Sequence, residues 1–226
     1  LFVKAVKFLD LWLKISNEDI TDGQKLWVAG VRAKAGRFME AISTYESFFK
    51  DKKLANLKGQ ERTNFLAARL GYAECLVALK NYKDAAKIFD EFKDTEWRNK
   101  LKVKERRADI DISRYLQAKN SEALNQALRS YSELYKRTPE THYVNGKPDK
   151  NKLKLAKKHW QYTYRLLLIY YYQQRYSEIR NFLDDYVKND AFKSEELKDV
   201  VSENLRKKLL ELYRLAKKKA ATQKNK

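Results

Sequence analysis

One short rhythm occurs four times in this chain and restricts what the chain can fold into. Four side chains stand at 3-4-3 spacing, and each set follows a short polar break. Phe38, Ala41, Tyr45 and Phe48 follow AKAGR, and Tyr82, Ala85, Phe89 and Phe92 follow LKN. Leu124, Ala127, Tyr131 and Leu134 follow QAKNS, and Tyr176, Ile179, Leu183 and Tyr186 follow QQR. At 3.6 residues per turn this spacing puts each set on one helix face. Every break is itself preceded by another amphipathic stretch, so the recurring unit is helix–turn–helix. In the first two units a small residue stands twelve positions before the alanine: Ala29 before Ala41, and Ala73 before Ala85. Small residues facing one another let paired helices approach closely.

Composition agrees. Six Gly and two Pro in 226 residues supply few of the turns that sheets require. A hydrophobic content of 43%, with 15 Tyr, excludes a disordered chain. The spacing predicts a helix over 2–15, then pairs over 22–35 and 38–50, 60–79 and 82–93, 96–118 and 121–137, and 150–173 and 175–189. Asn17 or Thr21 is placed to cap the second helix, and Ser194 to cap a last helix that runs to about 220. Nine or ten helices leave little room for sheet. The longest dense apolar run, LLLIYYY at 166–172, is too short to cross a bilayer, so no integral membrane segment is expected.

This pattern resembles tetratricopeptide-type repeats, in which a small residue sits in the first helix, an aromatic and an Ala open the second, and bulky residues follow. Pro139, twelve after Ala127, matches the proline which that family often carries after its second helix. The likeness covers roughly residues 22–190 and implies an all-α fold, a right-handed α-solenoid of stacked antiparallel hairpins. The chain departs from the family in its longer repeat, in Ile179 where Ala is expected, and in having no intact Trp-Leu-Gly signature. We expect one helical array over 1–220 and a basic tail over 221–226. The opening LFVKAV, without an initiating Met, reads as an excised piece of a longer protein whose remaining domains are themselves partners.

The residues offer little for catalysis. There is no glycine-rich phosphate loop, no CxxC and no His-Glu helix motif. Cys75, the single cysteine, lies in GYAECLVAL and reads as a packed core thiol. His142 in a loop and His159 heading a helix beside Trp160 are too few for a metal site. We expect no enzyme activity, no metal and no cofactor.

Binding is the better expectation. Net charge is +19; each successive block of fifty residues up to 200 carries between +2 and +4, and the last 26 residues carry +7. In the third unit Lys100, Lys104, Arg107, Asp111 and Arg114 form a largely basic helical stripe, apart from the apolar set Leu101, Ala108, Ile112 and Leu116. In the fourth, Lys154, Lys157, Lys158, Trp160, Tyr164, Arg165 and Tyr171 mix bases with aromatics. Tyr171 and Tyr172 cannot both face inward with Leu167 and Leu168, so a tyrosine there reaches the surface. The resemblance implies a concave groove lined by first helices. On that reading Lys34, Lys100, Lys104, Arg107, Arg114, Tyr164, Arg165 and Tyr171 line it and hold an acidic or aromatic-containing protein or peptide segment. The alternatives are nonspecific binding of single-stranded nucleic acid through basic and aromatic surfaces, and a spacer in a larger assembly.

Overall fold

The computed structural model describes residues 7–12, 20–145 and 147–224. The protein is all-α. Its described residues form eleven helices and a single two-stranded ribbon. Contacts divide the chain into two compact units, Leu1–Val103 and Lys104–Lys226.

The first unit holds α1 (residues 7–12), α2 (Asp22–Lys34), α3 (Phe38–Phe49), α4 (Gly59–Ala78), α5 (Tyr82–Glu91) and the start of α6 (Leu101–Ala118). Of the two predicted caps, Asn17 lies outside the described residues. Thr21 makes a full capping box with Gln24: its hydroxyl accepts from the Gln24 amide, and the Gln24 side chain accepts from the Thr21 amide at 2.7 Å. The four small residues Ala29, Ala41, Ala73 and Ala85 are completely buried, as close helix pairing requires. α4 approaches α3 so closely that a Cβ built on Gly71 would stand 2.3 Å from the Tyr45 hydroxyl. Burial pushes that phenol up to about 12. Cys75 is a buried core thiol, pushed up to about 11 by desolvation. Asp10 of α1 accepts from Arg37 and, at 3.1 Å, from Arg32, and these partners hold its carboxyl below the usual range. Helix α6 begins at Leu101 rather than 96, because Thr95 stops the preceding turn: its hydroxyl donates to Phe92 O at 2.9 Å and accepts from Trp97 N at 3.1 Å.

The second unit holds the rest of α6, then α7 (Ser121–Lys136), strands β1 (Tyr143–Val144) and β2 (Lys147–Pro148), α8 (Lys150–Tyr172), α9 (Tyr176–Lys188), the single turn α10 (Glu195–Lys198) and α11 (Glu203–Lys224). β1 and β2 are antiparallel, with Tyr143 opposite Pro148. They occupy the insertion between the third and fourth predicted pairs. α7 packs on α8, and α11 packs on both α8 and α9. The core shared by α8, α9 and α11 is built from Trp160, Leu167, Ile179, Leu183, Leu209 and Ala216. Burying each large apolar side chain there stabilises by about 1.5–3 kcal/mol.

The last helix is not continuous from Ser194, as the pattern predicted. Ser194 makes no side-chain cap, and the chain breaks after one turn. Val200 and Val201 turn into the core, and the Ser202 hydroxyl accepts from Leu205 N at 3.3 Å to restart the helix. α11 then continues to Lys224, past the expected end near 220.

The four polar breaks share a backbone device. Gly36, Lys80, Lys119 and Gln174 each adopt positive φ, between 53° and 81°. At three of them the following amide reaches back five residues, Arg37 to Arg32 O, Asn81 to Leu76 O and Arg175 to Tyr170 O, each at 2.9 Å. This is a left-handed helix stop with its carbonyls satisfied. Counted from the left-handed residue, Ala41, Ala85 and Ile179 are equivalent, and the third member is Leu124, not Ala127. The third set in the sequence pattern was thus one helical turn late. Its residues are nonetheless buried, since both registers lie on the same face.

Candidate functional site

The feature of the second unit with most chemistry is a trough between α8 and α11, a cavity of about 270 Å³. Asp149 caps α8, its carboxylate accepting from Asn151 N at 2.8 Å. Eleven residues on, Trp160 fixes the helix rotation. It is completely buried, donates from Nε1 to Glu140 O at 3.0 Å, and meets Tyr186 and Phe192 edge-on. That rotation leaves Gln161, Tyr164 and Arg165 along one wall. α11 buries Leu209, Leu212, Tyr213 and Ala216, and the Tyr213 hydroxyl donates to Asp184 at 2.6 Å. Asn204, Leu205 and Lys208 are thereby turned to the opposite wall.

The floor carries two polar relays. Glu105 of α6 accepts from Lys158 Nζ at 2.8 Å and from the Tyr162 hydroxyl at 3.4 Å. One turn on, Asp109 accepts from the Tyr131 hydroxyl at 2.7 Å and pairs with Arg165 at 3.2 Å. Burial first, then the adjacent carboxylates, lifts the Tyr131 and Tyr162 phenols well above their ordinary value, so both stay protonated donors. Arg165 nevertheless keeps 40% of its side chain exposed. Lys208 is exposed, with its ammonium 5.9 Å from the centre of the Tyr164 ring. Among the described residues no carboxylate lies within ion-pair distance of Lys208.

The eight residues proposed from sequence go to different places. Tyr164 and Arg165 line the trough. Arg107 and Arg114 converge on Asp111, which is 2% exposed, and Lys104 pairs with Glu133. Tyr171 packs against Tyr176, with ring centres 5.4 Å apart, and does not line the trough. Tyr170, Tyr171 and Tyr172 are all half-buried. In the first unit, Lys100 sits over the Trp97 ring, 3.2 Å from its centre, and Lys34 is exposed at the end of α2. The apolar stripe of α6 also differs from expectation: Leu116 is 46% exposed, while Ile110 is buried. Trp160 offers no surface for stacking. His159 does not head its helix but lies well inside α8, buried, its Nδ1–H donating to Thr138 O at 2.8 Å.

Sequence reasoning missed Gln161, Asn204, Leu205 and Lys208, and also the floor residues Glu105, Tyr131 and Tyr162. A partial signal existed for the floor: Glu105 and Asp109, four apart, share one face of α6, and Lys158 and Arg165, seven apart, share one face of α8. Nothing linked α11 to α8. Among the described residues no group of three or more His, Cys, Asp or Glu could hold a metal ion, and no helix is long and apolar enough to cross a membrane.

These observations define an all-α protein with a polar and aromatic trough in its second unit. No family model matches the chain, and no curated protein matches it either.

Proposed function

We propose that the trough holds an acidic segment of a protein partner, and that the chain is an interaction scaffold rather than an enzyme. One observation carries this reading: Arg165, its side chain 40% exposed, and Lys208, exposed, both line the trough beside Tyr164. A carboxylate entering from solvent meets a guanidinium and an ammonium, while the Tyr164 ring supplies apolar contact. The volume is below that of most small-molecule pockets, and suits one or two side chains of an extended peptide. The succession of helix pairs supports a solenoid of the tetratricopeptide type as the scaffold that presents it.

The test is fluorescence anisotropy with a labelled acidic peptide that carries one phenylalanine. Lys208→Glu and Arg165→Gln should each weaken binding about tenfold, as expected for loss of one charge-assisted contact. Replacing the phenylalanine by serine should weaken it less. Equal affinity for wild type and both variants would refute the trough as the binding site.

A further inference from the structure

The cations of α11 beyond the trough have no role in that reading, and they differ in kind from those of α6. Arg214, Lys217, Lys218 and Lys219 are all exposed, and among the described residues none has an ion-pair partner. We infer that this half of α11 docks on the phosphate backbone of double-stranded DNA without reading its sequence.

Charge density is the first argument. Six residues of helix, from Arg214 to Lys219, rise about 9 Å and carry four positive charges. That is one charge per roughly 2 Å, close to the duplex density of one per about 1.7 Å. Glu211 is the only carboxylate nearby in sequence, and it lies on the N-terminal side of the patch. Geometry is the second argument. Arg214 and Lys218, four apart, share one face, while Lys217 and Lys219 are turned about 200° from one another, to opposite flanks. A helix with cations on both flanks and between them suits the major groove of B-form DNA, which admits a helix and is bordered by phosphates on two sides.

Other occupants fit less well. Stacking on single strands needs exposed rings, and Tyr213, the aromatic of α11, is buried and hydrogen-bonded to Asp184. Seating in a lipid surface needs an apolar face, and that face of α11 is already buried on α8 and α9. Among the described residues of α11 only Leu215, 41% exposed, is a large exposed hydrophobic. The major groove of A-form RNA is too narrow for side chains to enter.

The experiment is anisotropy of the full chain against a labelled mixed-sequence DNA duplex of about 24 bp, titrated at salt from about 25 to 200 mM. Four phosphate contacts predict a log–log salt slope of about −3.6. Lys217→Glu, Lys218→Glu and Lys219→Glu together should weaken binding at least about thirtyfold and flatten the slope by about 2.7. Arg214→Gln alone should flatten it by about 0.9, which covers the case of a misfolded triple variant. A second duplex of unrelated sequence should bind equally, and Lys208→Glu, which disables the trough, should leave DNA affinity within about threefold. The inference is overturned if no binding is seen at the lowest salt, or if the triple and Arg214→Gln variants both bind like wild type. It is also overturned if duplex RNA binds as tightly, or if vesicles about one-third phosphatidylserine bind more tightly than DNA.

Discussion

Helices α6 and α11 of the second unit are both rich in Lys and Arg, yet they use that charge in opposite ways. α6 carries Glu105, Asp109 and Asp111 among its cations, and each carboxylate takes at least one basic side chain. Lys158 and Arg165 of α8 reach two of them, Arg107 and Arg114 the third, and Lys104 reaches Glu133 of α7. α11 offers only Glu203 and Glu211, and beyond the pair from Lys207 to Glu203 its Lys208, Arg214, Lys217, Lys218 and Lys219 are exposed. A basic stripe in a sequence is therefore a surface only when neither its own helix nor a neighbouring one supplies the acids. In α6 the charge is met by acids, within the helix at Asp111 and across helices at Glu105, Asp109 and Glu133; in α11 it is left for a partner.

The largest test of this contrast is Asp111→Ala. It leaves two guanidiniums without their shared buried carboxylate, and should destabilise by about 3 kcal/mol in urea unfolding. Next is Tyr131→Phe, which removes the hydroxyl that donates to Asp109 and should cost about 1 kcal/mol. A smaller effect concerns His159, whose pKa desolvation lowers below 6.5. The unfolded chain then binds the extra proton first, so stability falls as pH drops below about 6.5, until the folded-state pKa is passed. His159→Gln should flatten that part of a pH–stability curve. Smallest is Lys217→Ala, Lys218→Ala and Lys219→Ala combined, which should change stability by no more than about 0.5 kcal/mol. A loss near that of Asp111→Ala would mean that α11 too is held by its charges.

Much of the fold was legible in the sequence, because a helix that stops must satisfy its last carbonyls. The stops at Gly36, Lys80, Lys119 and Gln174 lie in the polar breaks read from composition. Register was less legible. A 3-4-3 pattern overlaps itself when shifted by one turn, so Ala127 was chosen where Leu124 is the equivalent position. The break at 199–202 was hidden, since Val200 and Val201 continue an apolar helical rhythm while turning inward. Of the site, Tyr164 and Arg165 were visible as a base beside an aromatic. Lys208 was not, because the trough depends on α11 packing against α8 across some forty residues of sequence.

Lysine acetylation under limiting reagent, read site by site by mass spectrometry, reports directly on which ammonium groups are engaged. Lys217, Lys218 and Lys219 should react at the rate of a free lysine, and Lys104 and Lys158 at least about tenfold more slowly, because each is paired with a carboxylate. Equal rates at all five positions would contradict the division between helix-joining and partner-facing charge.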